Sequence, residues 1–402
     1  MRATPESRSF RAIGVAALLV CCTVLGLAGT DLVLPAVPTL PNVLGGTVAH
    51  AQLVLATFAA GTGVGLLLFG ELGSFVDHRR MLASSLLAYA LLSVAAAMAG
   101  SLDLLIALRF LQGVAASCAA VVTPGMVRAL FDEQGALRAL GALGSIESLA
   151  PAIAPIIGVG LLSAYGWSAS FWVTAVAALA LCILVFFSKS YIPAVPQNPS
   201  RLGYWTLLQN PVFQRYAISQ GFSLGSLLVF VFAMPTVFVV AFDGDIRQFI
   251  IMQLVGISTY IVAANLSSHL VQRFGAEKTI FWGSMLALLG SIAMLAYSLF
   301  GGREAWVIWL LFLPFNMGFG FRGPPAFYRS LQASDGDDAR ASALVILYVM
   351  MITAAATALI SPFVASGLWP AALAAMLLGA VSLLVLPLLP ALVEPLLPAL
   401  AE

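Results

Sequence analysis

Charged side chains are scarce in this 402-residue chain: 9% of its residues are Asp, Glu, Lys or Arg, whereas 61% are hydrophobic. Soluble domains carry roughly 25% charged residues, and the mean hydropathy of +1.03 lies far above their range. A water-soluble fold cannot bury so much apolar surface, so the sequence predicts an integral membrane protein. The apolar runs are long rather than short and alternating, which favours transmembrane helices over a β-barrel.

Residue patterns that would indicate an enzyme or a metalloprotein are also missing. The chain has four cysteines and three histidines, and none of them stands at a CxxC or Cys/His spacing typical of a zinc site. The sequence contains no HExxH, no GxxxxGK[ST] loop and no plausible Ser/His/Asp arrangement. We therefore expect no enzymatic activity, no cofactor, no direct use of ATP and no nucleic-acid partner.

Twelve apolar segments are long enough to span a bilayer as helices. We predict an all-α membrane protein with helices over residues 12–36, 48–70, 81–100, 104–130, 136–162, 169–187, 215–240, 248–271, 279–300, 305–328, 340–365 and 370–390. A stretch rich in proline and polar residues divides the chain near its middle. It predicts a six-helix bundle at 1–190, a cytoplasmic linker at 191–210 and a second six-helix bundle at 211–402.

The two halves resemble each other in sequence. Thr123-Pro124 followed by Arg128 recurs as Pro324-Pro325 followed by Arg329, at the ends of the fourth and tenth predicted helices. A parallel repeat of two six-helix bundles is typical of transporters that have a central cavity.

The distribution of basic residues predicts the orientation. Of 18 Lys and Arg residues, the predicted external loops hold only Arg247 and Arg303, and two more lie deep within helices. The rest lie in the N-terminal segment, in cytoplasmic loops or at the cytoplasmic ends of helices. Basic residues concentrate on the cytoplasmic side of membrane proteins. We therefore expect both termini in the cytoplasm.

Four ionisable residues are predicted to lie within the bilayer: Asp31, Glu147, Arg109 and Arg322. A charged group at this depth is costly unless it is paired, hydrated or neutralised, so such residues are functional by default. We predict that Asp31, Glu147 and Arg109 take part in proton coupling. The alternative for Asp31 and Arg109 is a permanent structural ion pair. Glu147 could instead recognise a cationic group on the substrate, or be a neutral side chain hydrogen-bonded inside the bundle.

Arg322 presents a different problem because an arginine cannot shed its charge and needs a counter-anion. The equivalent stretch of the first half, residues 121–124, carries no charge. An arginine that faces the cavity would bind an anionic substrate such as a carboxylate. The alternatives are a side chain that reaches the inner headgroups or a salt bridge to another helix.

Three segments resemble the major facilitator superfamily, and within it the bicyclomycin/chloramphenicol-resistance type of drug:proton antiporter. Residues 30–38 read Thr-Asp-Leu-Val-Leu-Pro-Ala-Val-Pro, and residues 109–113 read Arg-Phe-Leu-Gln-Gly. Residues 150–158 read Ala-Pro-Ala-Ile-Ala-Pro-Ile-Ile-Gly and are followed by Gly-Trp-Ser-Ala-Ser-Phe-Trp at 166–172. The resemblance implies a proton-coupled exporter that works by alternating access, with Asp31 and Arg109 facing one cavity and able to interact.

Two segments are predicted to act in gating. Pro151 and Pro155 should open or kink the fifth helix because proline removes a backbone donor, and Gly158 lets a neighbouring helix approach closely. The loop at 70–80, Gly-Glu-Leu-Gly-Ser-Phe-Val-Asp-His-Arg-Arg, resembles the family's gating loop. Ser74 stands where the family has an aspartate, so a gating role for Asp77, Arg79 and Arg80 departs from the usual pattern.

Polar and aromatic residues within the helices complete the predicted substrate site. Besides Arg322, we assign substrate binding to Gln112, Gln220, Asn316, Tyr260 and Phe58. The predicted protein is a monomeric, multi-pass transporter of the bacterial inner membrane that exports drug-like or amphipathic small molecules in exchange for protons. An exporter of an anionic metabolite, such as a carboxylate-type siderophore, is the alternative. A membrane receptor or scaffold would leave the buried charges unexplained.

Overall fold

The computed structural model describes residues 5–73, 75–131, 133–188, 204–334 and 338–392. These residues form twelve long helices, which we number in chain order: α1 Pro5–Asp31, α2 Val48–Leu72, α3 His78–Ala97, α4 Leu102–Leu130, α5 Glu133–Tyr165, α6 Ala169–Phe187, α7 Pro211–Thr236, α8 Ile246–Phe274, α9 Ala276–Leu299, α10 Ala305–Gln332, α11 Asp338–Ile360 and α12 Trp369–Leu388. Eleven of them are long and apolar enough to cross a membrane, and α5 adds a shorter apolar stretch, Leu149–Tyr165. The predicted all-α, twelve-helix class is confirmed.

Polar N-caps determine where several helices begin. Thr47, Asp77, Ser101, Asn210 and Asp245 each accept a hydrogen bond from a backbone N–H in the first turn of the following helix. Such caps satisfy donors that have no partner within the helix. They explain why α2, α3, α4, α7 and α8 start directly after polar loop residues.

The first helix ends earlier than predicted. The sequence predicts a helix over 12–36, but α1 ends at Asp31 and is followed by a 3₁₀ segment, Leu34–Thr39, and a short helix, Leu40–Leu44. Pro35 and Pro38 lie in the 3₁₀ segment. Proline lacks an N–H and disfavours the helical conformation of the residue before it, which accounts for the early end.

The fifth helix, by contrast, continues through its prolines. Pro151 and Pro155 both lie inside α5, whose helical hydrogen-bonded structure runs from Glu133 to Tyr165. The prolines therefore do not open the helix in this conformation, and the kink that the sequence also allows stays a prediction. Within a membrane bundle, neighbouring helices and local adjustments accommodate the missing donors.

The predicted linker at 191–210 lies partly outside the described residues, which resume at Tyr204. Residues Tyr204–Gln209 form a short helix. Its Leu207 is buried in the same apolar core as Phe213 and Leu344. The final part of the predicted linker therefore packs against the second half.

The apolar cores show that the two halves are joined more closely at one end than at the other. One core combines residues from both halves at the end that carries the α1–α2, α7–α8 and α11–α12 connections, which we call the shared-core end. It includes Val33, Val37 and Leu55 from the first half and Phe230, Phe238 and Val364 from the second. Two further cores each contain residues of one half only.

Candidate transport site

Arg109 lies at the centre of the first half, where it connects three helices. Its side chain is fully buried. Nη1 donates to the Gly29 carbonyl of α1 at 3.1 Å and to Oε1 of Gln112 at 3.3 Å, and Nε donates to the Val54 carbonyl of α2 at 3.3 Å. The guanidinium carbon lies 4.0 Å from the centre of the Phe58 ring, a cation–π distance.

The hydrogen bonds continue from Arg109 into α3. Nε2 of Gln112 donates to Oγ of Ser93 at 2.9 Å, and that hydroxyl donates to the Tyr89 carbonyl at 2.7 Å. We call Arg109, Gln112, Ser93 and Tyr89 the arginine network. The Tyr89 hydroxyl and Nη2 of Arg109 are buried and have no hydrogen-bond partner. The network therefore keeps two unused polar groups inside the bundle.

Asp31 is the last residue of α1 and is partly exposed. The described residues contain salt bridges at three places, and none of them joins Asp31 to Arg109. The predicted interaction of these two side chains is therefore not formed in this conformation. Arg109 instead binds the backbone of Gly29, two residues before Asp31.

The chain directly after Asp31 contacts two stretches that resemble the antiporter family, residues 150–158 and 166–172. The Leu32 carbonyl accepts a hydrogen bond from the Ser170 hydroxyl at 2.9 Å. A Cβ atom on Gly158 of α5 would lie 2.5 Å from the same carbonyl oxygen. Only glycine lets α5 approach this closely, so Gly158 and Ser170 fix the chain directly after Asp31.

Glu147 faces the first helix from α5. Its side chain is partly buried and forms a hydrogen bond with the side chain of Thr23 on α1. Thr23 is buried. Helix α1 therefore connects the three residues: it carries Asp31, and it is contacted by Glu147 from α5 and by Arg109 from α4.

Arg322 is buried in the second half between α7, α10 and α12, with 1% of its surface exposed. Nη1 donates to the Ser219 carbonyl and to Oγ of Ser382, both at 3.1 Å, and Nη2 donates to Oγ of Ser219 at 2.9 Å. No carboxylate of a described residue lies within 4.0 Å of it. The structure thus shows neither a salt bridge nor a side chain that reaches the protein surface.

The other predicted substrate residues divide between the halves. Gln112 and Phe58 contact Arg109, whereas Gln220, Asn316 and Tyr260 lie on α7, α10 and α8. Gln220 is buried and its Oε1 has no partner, and Asn316 donates to the Phe312 carbonyl of its own helix at 2.9 Å. The described structure therefore does not gather the predicted set at one point.

The gating loop forms a local ion pair. Asp77 accepts from the Arg79 backbone at 2.9 Å, and the two side chains form a salt bridge at 3.3 Å. Partial burial alone would raise the pKa of Asp77, but the hydrogen bonds and charge of Arg79 hold that pKa below its usual value. Arg80 is exposed, and Ser74 lies outside the described residues. In this conformation Asp77 thus pairs with a residue of the first turn of the helix that it caps.

Hydrogen bonds of one glutamine join the two halves, and the sequence did not predict this contact. Gln52 of α2 is fully buried, and its Nε2 donates to the Phe232 carbonyl of α7 at 2.8 Å. The Thr236 hydroxyl donates back to Oε1 of Gln52 at 3.4 Å. A glutamine inside a predicted transmembrane helix was the available signal, but the sequence does not say which helix it faces.

Twelve long helices that enclose two fully buried arginines are typical of a multi-pass membrane transporter. The sequence pattern of the Major Facilitator Superfamily matches residues 19–343. The chain belongs to this superfamily, and the resemblance noted in its sequence is confirmed. Because its relatives are bacterial, this multi-pass protein belongs to the inner membrane.

Several curated relatives carry resistance names. The chain is 27% identical over 258 residues to a bicyclomycin resistance protein homolog of Haemophilus influenzae, covering 62% of this chain and 64% of the relative. It is 31% identical over 218 residues to a chloramphenicol resistance protein of Pseudomonas aeruginosa, covering 52% and 51%. It is 29% identical over 201 residues to multidrug resistance protein MdtL of a Shewanella species, covering 46% and 51%. The chain thus spans between half and two-thirds of the length of these relatives.

A solved structure supports the fold. The D-xylose–proton symporter superposes with a TM-score of 0.69 over 92% of this chain and 97% of its own, at 15% sequence identity. At that identity the similarity establishes a common fold and says nothing about substrate.

Proposed function

We propose that this protein exports drug-like or amphipathic small molecules in exchange for protons. The observation that carries the proposal is Asp31, a carboxylate within an apolar segment that has no salt-bridge partner among the described residues. Such a group is costly to keep charged unless it is hydrated, paired or protonated. Exchange between those states is what proton coupling requires. The resistance names of the relatives support the substrate class.

The proposed cycle uses alternating access between two bundles, residues 1–190 and 211–402, in a monomer with both termini in the cytoplasm. In this orientation the shared-core end faces outward, and its apolar contacts keep the outer side closed in this conformation. Asp31 and Glu147 carry the proton. Arg109, which binds α1 at Gly29, responds to the change in their charge. Pro151, Pro155 and Gly158 position α5 against the end of α1, and Asp77, Arg79 and Arg80 gate the cytoplasmic side.

A second candidate is the export of an anionic metabolite such as a carboxylate-type siderophore. It is favoured by Arg322, whose buried charge has no described carboxylate within 4.0 Å. Gln220 lies next to Ser219 and keeps an unpaired oxygen. In this mechanism Arg322, with Gln220, Asn316 and Tyr260, binds the substrate after the serines release the guanidinium.

Proton efflux from energised inside-out vesicles tests both candidates. Vesicles with an acidified interior receive either lipophilic cations or carboxylate metabolites, and interior pH is followed with a fluorescent dye. We expect the cations to drive proton efflux. A response confined to the carboxylates and lost in Arg322→Ala would support the second candidate. No proton movement with either panel, at normal protein levels, would contradict proton coupling.

A further inference from the structure

The short helix Tyr204–Gln209, which we call the linker helix, is attached to the second half by several contacts. Leu207 is 4% exposed and lies in an apolar core whose other residues all come from the second half. Its carbonyl accepts a hydrogen bond from Nε2 of Gln214 on α7 at 3.1 Å. Nδ2 of Asn210 donates to the carbonyl of Ala333, directly after α10, at 2.9 Å. These contacts make the linker helix move together with the second half.

Tyr204, the first residue of the linker helix, reaches the first half. Its hydroxyl lies against Gly70 of α2, since a Cβ atom on Gly70 would collide with the hydroxyl oxygen and lie 3.4 Å from the ring carbon Cζ. The guanidinium carbon of Arg340, on α11, lies 5.6 Å from the centre of the Tyr204 ring, a cation–π distance. Tyr204 is thus held by the second half and meets the first half at a residue without a side chain.

The contact between Tyr204 and Gly70 continues the packing of α2 against α11. Gly63 lies about two turns before Gly70, on the same face of α2. A Cβ atom on Gly63 would lie 3.1 Å from Sδ of Met351 and 3.2 Å from Cδ1 of Leu347, both on α11. Gly70 is also the first residue of the gating loop. Tyr204 therefore joins the halves at the end of α2 that lies opposite the shared-core end.

We propose that Tyr204 is a positioning residue of the cytoplasmic gate, which fastens the linker helix to the gating loop at Gly70 and restrains the halves from separating there. The proposal rests on the alternating access proposed above. When the halves separate on the cytoplasmic side, the linker helix moves with the second half, so Tyr204 has to leave Gly70. Release of this contact is one step in the opening of the cytoplasmic side. The linker helix is then part of the gate as well as a connection between the halves.

Distances from pulsed electron paramagnetic resonance on the purified full-length protein test the proposal. After the native cysteines are replaced, one spin label is attached through Thr206→Cys on the linker helix and another through Phe75→Cys in the gating loop. Both positions are exposed. We expect Gly70→Ala to shift the distance distribution to longer values, because the added methyl group displaces the Tyr204 hydroxyl.

The shift should disappear when Gly70→Ala is combined with Tyr204→Phe. The alanine Cβ then meets only the ring, at 3.4 Å from Cζ, which is close to an ordinary carbon–carbon contact. Tyr328→Phe, which changes an exposed tyrosine of α10, should not rescue Gly70→Ala. Gly160→Ala is the matched control for the added methyl group, because a Cβ atom there has nothing within 4 Å. It should leave the distance unchanged.

Tyr204→Ala removes the same contact from the side of the linker helix and should give the same shift, so the test does not depend on the folding of one variant. An unchanged distance in both Gly70→Ala and Tyr204→Ala would overturn the proposal. So would an equal shift in Gly70→Ala with and without Tyr204→Phe. The measurement needs neither substrate nor a proton gradient, so its failure is independent of the proposed export function.

Discussion

Tyr89 carries one of the few buried hydroxyls without a partner among the described residues. Replacing it with phenylalanine removes an unsatisfied polar group and keeps the ring. We expect Tyr89→Phe to leave the free energy of unfolding unchanged or to raise it by up to about 1 kcal/mol. Thermal unfolding in detergent would measure the change.

Tyr216 provides the matched control. It is also fully buried, but its hydroxyl donates to Glu277 at 2.5 Å and accepts from the backbone of Leu392 at 3.0 Å. Tyr216→Phe should therefore cost about 1–3 kcal/mol. Equal losses in the two variants would mean that the Tyr89 hydroxyl is paired after all.

At the residue scale the sequence identified the charges but not their partners. Asp31, Arg109, Glu147 and Arg322 stand out because ionisable groups inside a membrane are costly. Ser219 and Ser382 do not, since a serine inside a helix commonly bonds to its own backbone. Which serine meets an arginine depends on how three helices rotate and pack, and no local pattern records that rotation.

Gly158 lets helix α5 approach the chain directly after α1 closely. Gly158 and Gly160 lie two residues apart, but a Cβ on Gly158 would lie 2.5 Å from the Leu32 carbonyl oxygen, whereas one on Gly160 would have nothing within 4 Å. We expect Gly158→Ala to destabilise the protein by about 1–3 kcal/mol, as overpacking does. Thermal unfolding and substrate export would both be measured.

The companion variant Gly160→Ala should be neutral or stabilising by up to about 1 kcal/mol, because alanine favours the helix more than glycine does. If both alanine variants behaved alike, the close approach of α5 to α1 would not depend on Gly158. Because both glycines lie on the same helix, we expect the two variants to insert into the membrane equally well.

At the element scale, hydropathy was sufficient to count the helices, but prolines did not predict where they break. The same rule applies to Pro35 in the segment after α1 and to Pro151 in α5. Only the first coincides with a helix end. The difference lies in the surroundings, since neighbouring helices can accommodate the groups that a proline frees.

Gln52 joins the two halves at the shared-core end, through α7. Gln52→Leu removes both hydrogen bonds and keeps an apolar side chain of similar length. We expect this end to open more often, by about fivefold, because the 2.8 Å bond contributes about 1 kcal/mol and the long 3.4 Å bond much less. A cysteine at Ala233, a buried residue of the shared core, would report opening through its rate of maleimide labelling.

The four native cysteines would be replaced for that measurement. The control variant is Thr259→Val. The Thr259 hydroxyl donates within its own helix, to the Val255 carbonyl at 2.7 Å, so its removal should not affect the contact between the halves. That variant should label at the unchanged rate. Equal labelling in Gln52→Leu would show that Gln52 does not hold the halves together.

At the scale of the whole molecule, the sequence repeat predicted two similar halves but not which end they share. Alternative conformations of a transporter bury nearly the same helices and differ by only a few kcal/mol. The choice rests on contacts such as Gln52 with Phe232, which join residues 180 positions apart in the chain. Hydropathy averages over each helix and therefore carries no information about these contacts.

The most direct test of proton-coupled export is substrate-driven proton efflux in vesicles that contain Asp31→Asn. We expect this variant to insert and fold normally and to lose proton efflux entirely, because asparagine cannot bind or release a proton. Asp103→Asn, which alters an exposed carboxylate in the first turn of α4, should retain the full signal. Full proton efflux from Asp31→Asn, at equal protein amounts, would contradict the central role of Asp31.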